Sequence, residues 1–218
     1  MIRVKLRRPF KPQRQIVAAE LPSPDEKVAI LALAIDKLTH ADYVHIGMDH
    51  FAKPQDELAV AQREGRLTRR FQGYSTRPDT DLVAFGVSAI GKVGVTYMQN
   101  AKTLDDYCAR LDAGALPVIR GIALDRDDRL HREVIQKLMC DFEVDLEPLA
   151  ARHAVDPDRC FEAERAALAP LEADGLVRTS GHRVEVTPSG RLLVRNIAMT
   201  FDRRLRESRE GARYSRVI

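Results

Sequence analysis

The chain has 218 residues, 31% of them charged and 44% apolar, with a formal net charge of +3. It can bury a substantial core as one large or two small domains, and no apolar run approaches the roughly 20 residues that cross a bilayer. These features exclude a helical membrane protein, and the net charge is too small to name a partner.

Basic residues are unevenly placed. Arg3, Lys5, Arg7, Arg8, Lys11 and Arg14 precede the first acid, Glu20, and residues 191–218 carry Arg191, Arg195, Arg203, Arg204, Arg206, Arg209, Arg213 and Arg216 against Asp202, Glu207 and Glu210. Such clusters meet nucleic acid or anionic ligands in some proteins and are more often solvated faces. The N-terminus lacks the apolar segment of a secretory signal. Cys108, Cys140 and Cys160 are odd in number and far apart, so they read as reduced thiols of a cytoplasmic protein.

In chain order, Ser23, Pro24 and Glu26 have the pattern of a capping box with proline at the first helical position. Val28, Leu31, Ile35 and Leu38 follow at helical spacing, which predicts a helix over 24–38. Residues 43–48, YVHIGM, read as a strand in which Gly47 admits close approach of another backbone. A short helix over 55–64 ends at Gly65. The loop RRFQGYS then leads to a second apolar run, DLVAFGVSAIG, at 81–91. Two short apolar runs separated by a helix are the pattern of a buried parallel sheet. Ligands of such sheets sit at the carboxyl ends of the strands, so MDHFAKP and RRFQGYS are the expected ligand-facing loops.

After residue 91 the pattern turns helical, with Thr103 capping a helix that runs to Gly114, and 117–124 is extended. Residues 125–140 form an amphipathic helix whose acidic start, DRDD, suits the positive end of its dipole. Further helices are predicted at 146–153 and 157–174. LVRTSGHRVEVT is a hairpin turning near Ser180 and Gly181, and PSGRLLVRNIAMTF begins the last helix. Helices, a small hairpin and a helix make a winged-helix-like arrangement, with a boundary near 115–125.

Four long segments carry a resemblance: MDHFAKPQDELAVAQREGRL, FQGYSTRPDTDLVAFGVSAIG, RGIALDRDDRLHREVIQKLMC and RLLVRNIAMTFDRRLRESREGARYSRVI. In that order they resemble the C-terminal half of the oxygen-independent coproporphyrinogen III oxidases (dehydrogenases), a family of radical S-adenosylmethionine enzymes. The resemblance runs from about residue 11 to residue 218, and MIRVKLRRPF departs from it. It implies an α/β fold in which residues 1–120 are the terminal portion of an open (β/α) barrel and 121–218 a mostly helical, winged-helix-like domain. It also implies an oxidoreductase of heme and porphyrin biosynthesis that turns two propionates of coproporphyrinogen III into vinyl groups, with loss of carbon dioxide, giving protoporphyrinogen IX. The family uses S-adenosylmethionine and an iron–sulfur cluster held by an N-terminal C-x-x-x-C-x-x-C loop. This sequence contains no such loop. The chain is therefore expected to be a fragment or truncated relative, inactive alone, whose missing partner is the cluster-binding barrel half.

By the same resemblance Phe71, Gln72 and Ile90 match positions beside bound S-adenosylmethionine. Phe71 offers an apolar face, Gln72 donates and accepts hydrogen bonds, and Ile90 gives a dry contact. Without the resemblance, Phe71 and Ile90 read as core residues and Gln72 as a loop cap. Asp49 and His50 stand at a strand end; with no third ligand at suitable spacing they make no metal site, and His50 reads as an imidazole that positions loops or substrate. A tetracarboxylate substrate needs cations, for which Arg69, Arg70, Arg77 and Arg120 are candidates; Arg70, Arg120 and His50 are carried forward as substrate contacts. No catalytic residue is assigned, and the three cysteines read as packed thiols rather than cluster ligands.

The alternative class is a winged-helix nucleic-acid-binding protein. Against it, RLLVRNIAMTF alternates arginines with residues of buried character. A non-catalytic tetrapyrrole carrier is a third reading. No membrane partner is expected. Strands around Tyr43 and Leu82, left at an edge, would expose apolar surface and promote self-association.

Overall fold

The computed structural model describes residue 17 and residues 20–207. The basic residues at 3–14, with Arg209, Glu210, Arg213 and Arg216, lie outside the described residues.

Helix α1 (Pro24–His40) starts as its sequence requires: Glu26 N–H donates to Ser23 Oγ at 3.2 Å, and Ser23 N–H to the Glu26 carboxylate at 2.7 Å. It lies on the surface, with Leu31, Ile35 and Leu38 half-buried and Val28, Ile30 and Leu33 exposed. Strand β1 (Val44–Gly47) is the predicted one, but it pairs antiparallel with the next segment, β2 (His50–Ala52). Gly47 has φ +149, and a Cβ there would run into the Tyr74 hydroxyl. The close approach predicted at Gly47 is thus made by a side chain, not a backbone. Helix α2 (Glu57–Arg63) is capped by Asp56 and followed by Gly65 at φ +66.

The segment RRFQGYS is a hairpin rather than an open loop. Strands β3 (Thr68–Arg70) and β4 (Gly73–Ser75) pair antiparallel, leaving Phe71 and Gln72 at the tip. DLVAFGVSAIG does not form a strand of a parallel sheet. It makes a single antiparallel bridge, Leu82 to Lys92, and only its end enters β5 (Ile90–Val93). Gly91 permits that bridge, since a Cβ there would sit 2.9 Å from the Leu82 carbonyl oxygen. Strand β6 (Thr96–Asn100), where the sequence predicts a turn to helix, pairs with β5 and with β7 (Val118–Ala123). Helix α3 (Leu104–Asp112) links β6 to β7 behind its Thr103 cap.

Every strand pairing among the described residues is antiparallel. For β1–β2, β3–β4 and β5–β6 the reason is connection length, since tight turns join them and a parallel pair needs a crossover of a dozen or more residues; β6–β7 is antiparallel despite its longer connection through α3.

Helix α4 (Arg126–Asp141) joins two cores. Asp125 caps it in a reciprocal box with Asp128. Its Leu130, Val134, Leu138 and Met139 enter the larger core, which is completed by the remaining C-terminal elements. These are β8 (Glu143–Asp145), α5 (Leu146–Arg152), α6 (Pro157–Cys160), α7 (Glu162–Ala173), β9 (Val177–Ser180), β10 (Arg183–Val186) and α8 (Val194–Met199). Cys140, on the same helix, packs in the smaller core with Ile46, Ala52, Ala59, Ala61 and Leu67.

The predicted hairpin is β9–β10, with Gly181 at φ +59, and β8 adds to its open side to give the order β8-β10-β9. The predicted helix over 157–174 breaks at fully buried Phe161. The predicted last helix also divides, into a 3-10 turn (Gly190–Leu193), α8 and, after buried Phe201, α9 (Arg203–Glu207). In both places a large aromatic turns inward where a straight helix would carry it past the core.

Candidate functional site

The hairpin tip owes its position to α4. Gln136 Oε1 accepts from Arg69 N–H at 3.0 Å while its Nε2 donates to the Arg69 carbonyl, so one side-chain amide takes the place of a neighbouring strand. One turn further on, the Met139 carbonyl accepts from the Tyr74 hydroxyl at 2.9 Å. Burial pushes the Tyr74 pKa up to about 12, so the phenol remains a donor. Tyr74→Phe is expected to cost about 1 kcal/mol, a typical net hydrogen-bond contribution. It would appear as a lower urea midpoint at unchanged slope; an unchanged midpoint would remove this bond from the account.

One turn before Gln136, Arg132 donates to the Tyr97 hydroxyl at 2.8 Å and pairs with Asp79 at 2.7 Å; Lys92 reaches the same Asp79 oxygen at 2.7 Å. Burial alone would raise the Asp79 pKa, and the bonds from Arg132 and Lys92 outweigh it, leaving the carboxyl lowered. Through these contacts α4 fixes the β3–β4 hairpin, the segment before Leu82 and the β5–β6 pair relative to one another. The sequence reading singled out neither Arg132 nor Gln136. The signal was there: they stand at i, i+4 with each other and with Cys140, on the flank of an amphipathic helix.

Three of the cavities around this frame are lined by predicted site residues. Phe71 and Ile90 share one of about 70 Å³ with Arg70, Leu82 and Tyr97. Ile90 also borders a second, of about 270 Å³, with Arg120 and Gln99. Arg70 and Phe71 border a third, of about 480 Å³, against α4 and α8. Arg70, Phe71, Ile90 and Arg120 are thereby linked through shared walls. Phe71 is 73% exposed, so it is not a core residue.

Two of the predicted site residues lie apart. Gln72 is exposed at the hairpin tip and lines none of the three cavities. His50 sits behind the hairpin, edge-on to the Tyr74 ring at 5.1 Å, and also lines none of them. Its Nδ1 is 2.9 Å from Asp49 Oδ1, at an angle too oblique for a hydrogen bond. Arg70 donates to Thr80 Oγ1 at 2.9 Å and to the Pro78 carbonyl, and Arg120 donates to Gln99 Oε1 at 2.8 Å. The Arg69 guanidinium lies over the Tyr74 ring at 5.0 Å, and Arg77 is exposed.

The thiols do not fit an iron–sulfur cluster, which needs closely placed thiolates. Cys108 is exposed, while burial pushes the Cys140 pKa up to about 12 and that of half-buried Cys160 upward as well. Among the described residues no three His, Cys, Asp or Glu side chains stand close enough to hold a metal ion.

The C-terminal arginines turn inward. Arg203 reaches Asp125 at 2.8 Å, Asp127 at 2.9 Å and Asp128 at 3.0 Å; Arg204 donates to Asp128 at 2.9 Å, and Arg206 meets buried Glu164 at 2.6 Å. The Arg204 bond, with help from the Asp125 backbone, holds the Asp128 carboxyl down at about 2 despite burial. Arg191 lies 4.5 Å over the Phe142 ring. These groups are engaged within the fold, which leaves fewer cations for a nucleic-acid backbone.

Residues 124–193 match the family described as the HemN C-terminal domain. Over 209 residues the chain is 48% identical to the oxygen-independent coproporphyrinogen III oxidase of Escherichia coli (strain K12), covering 96% of this chain and 46% of the relative. This chain corresponds to the C-terminal half of the oxygen-independent coproporphyrinogen III oxidases. The oxidase of that name from Pseudomonas aeruginosa is 46% identical over 96% of this chain and 45% of its own. That of Thermostichus vulcanus is 44% identical over 94% and 63%. A solved structure, titled as the coproporphyrinogen III oxidase (HemN) of Escherichia coli and as a radical SAM enzyme, superposes with a TM-score of 0.84. It is 49% identical and covers 88% of this chain and 44% of that one. The chain thus spans about half the length of the coproporphyrinogen III oxidases it matches. No described helix is long and apolar enough to cross a membrane.

Proposed function

We propose that this chain is the part of a cytoplasmic coproporphyrinogen III oxidase that closes an open barrel with residues 1–120 and covers the substrate with a winged-helix-like domain over 121–218. In that role it serves the conversion of coproporphyrinogen III to protoporphyrinogen IX. The observation that carries the reading is the 48% identity to the Escherichia coli oxidase over 96% of the chain.

Phe71 and Ile90 share a cavity wall, and Gln72 stands at the adjoining hairpin tip. This set suits one edge of S-adenosylmethionine, the shared cavity being smaller than a whole ligand site: ring and aliphatic contacts for an apolar part, and an amide that donates and accepts. When bound, that cofactor supplies the radical that takes a hydrogen atom from a propionate side chain. The chain's own residues exclude water with an apolar wall and offer guanidinium groups, Arg70 and Arg120 among them, to the carboxylates. His50, behind the hairpin, positions it.

Because the described thiols fit no cluster, the chain alone is expected to be inactive. Its partner is the barrel half that bears the cysteine loop, and the surface it covers includes Val83, Phe85 and Leu116, with Phe85 84% and Leu116 77% exposed. Patches of that kind mark interaction surfaces.

Anaerobic turnover tests this directly. With coproporphyrinogen III, S-adenosylmethionine and a reductant, protoporphyrinogen IX is expected only when the cysteine-bearing half is added, and that half should convert a self-associating chain into a defined complex on gel filtration. Product from the chain alone would overturn the claim of inactivity. Porphyrin binding with no turnover in the presence of both halves would replace the enzyme reading with that of a carrier.

A further inference from the structure

We infer that the cavity of about 480 Å³ between the β3–β4 hairpin, α4 and α8 is a binding site for the carboxylate arm of an apolar-bodied polycarboxylate, with Arg195 as a selecting residue beside Arg69 and Arg70. The inference rests on the proposed function only in taking a tetrapyrrole as the ligand.

The cavity is two-sided in chemistry. Ile135 and Met139 from α4, Met199 from α8 and Leu205 from α9 give an apolar floor, and Arg69, Arg70 and Arg195 converge on it from two parts of the chain. Arg69 Nη1 and Arg70 Nε are buried and have no hydrogen-bond partner. Among the described residues, no carboxylate pairs with Arg69, Arg70 or Arg195.

Some arginines, such as Arg132, Arg152 and Arg165, pair with an Asp or Glu, while Arg63, Arg120 and Arg126 bond only carbonyl or amide oxygens among the described residues. Arg69 and Arg70 differ from these in having a buried nitrogen with no partner at a cavity wall. Buried donors are ordinarily satisfied, so a donor left open at a cavity wall points to an acceptor that arrives with a ligand. The one acid in the wall, Asp202, already accepts from Leu205 N–H at 3.0 Å.

Guanidinium forks match carboxylates in two-point contact. A bare phosphate would satisfy the arginines and waste the floor; an uncharged apolar molecule would do the reverse. The volume lies within the usual range of small-molecule sites and admits an edge of a large macrocycle with its acidic arm. Arg195 is the informative position, since it makes no bond within the described fold that its replacement would break.

The test is a fluorescence titration of the chain with coproporphyrin III, the oxidised tetracarboxylate, beside its tetramethyl ester. Arg195→Gln is expected to weaken binding of the acid about tenfold, the size of one charged hydrogen bond, without changing the melting temperature. Arg69→Gln should weaken it further. Arg178→Gln, at an exposed β9 arginine 3.9 Å from Glu185, should have no effect. The ester should bind poorly to every form.

Equal affinity in wild type and Arg195→Gln, equal binding of acid and ester, or no binding of the acid by the wild-type chain would each overturn the assignment. Arginine-independent porphyrin binding with turnover intact would remove this cavity and leave the proposed function standing. Arginine-dependent binding with no turnover in the two-half assay would do the opposite.

Discussion

Glu164→Ala is expected to destabilise the chain by about 3 kcal/mol, the low end of the range for breaking a buried ion pair from one side. The carboxylate is 1% exposed and accepts from His131 Nε2 at 3.0 Å and from Arg206 at 2.6 Å. The low end applies because neither abandoned partner is trapped: His131 can lose its proton, and the Arg206 side chain, 34% exposed, can turn to water. Urea titration measures the loss; a variant as stable as wild type would mean the pair is neutral for stability.

The same pair sets a pH dependence. Burial pushes the His131 pKa down, but the bonds to Glu164 and to the Asp127 carbonyl, with the Asp127 carboxylate at 3.3 Å, raise it overall above 6.5. Burial pushes Glu164 up, and its bonds from His131 and Arg206 lower it overall below 4.5. The remaining titratable neighbour is Cys160, whose thiol is 4.0 Å from Asp127. A raised histidine stabilises fully below its ordinary pKa and loses this as pH rises through the folded value. A lowered carboxyl stabilises above its ordinary pKa and loses this as pH falls. The pair therefore contributes most between the ordinary values, 4.5 and 6.5. Wild type should melt higher at pH 6 than at pH 8, and His131→Gln should flatten that difference; a flat wild-type profile would contradict it.

Phe201→Ala is expected to cost about 3–5 kcal/mol, as for other buried Phe truncations. The ring is fully buried and edge-on to Phe161 at 6.2 Å, and Phe161 is edge-on to His131 at 5.5 Å. Phe201 also marks the turn from which Arg203, Arg204 and Arg206 reach their acids. Its loss should therefore overlap that of Glu164→Ala, and the double variant should lose less than the sum of the two. Strict additivity would show that ring packing and the ion pair act separately.

Local signals were legible in the sequence. The Ser23 box, the Thr103 cap and the Gly181 turn depend on bonds spanning only a few residues, so the residue types announce them. Pairing was not. An apolar run such as DLVAFGVSAIG has the same composition beside a parallel neighbour, an antiparallel one or almost none, and its lone bridge to Lys92 depends on Gly91 leaving room. The breaks at Phe161 and Phe201 were invisible for a similar reason, since the core that draws each ring in is assembled from remote segments.

The site divides in the same way. Resemblance singled out Phe71 and Ile90, and the fold gives them a common cavity; Gln72 and His50 stand away from it. Gln136 and Arg195 escaped notice because what they do depends on Arg69, a long way off in sequence. The basic C-terminal stretch was legible as charge, but its acidic partners Asp125, Asp127 and Asp128 lie some 75 residues earlier.

Helix α4 sends Leu130, Val134, Leu138 and Met139 into the larger core and Cys140 into the smaller one, with Gln136 and Arg132 gripping the hairpin and the β5–β6 pair between them. A close-packed interior transmits strain. The Phe71 tip and α8 are walls of one cavity that share α4 as their support, so a displacement of that helix reshapes both walls together.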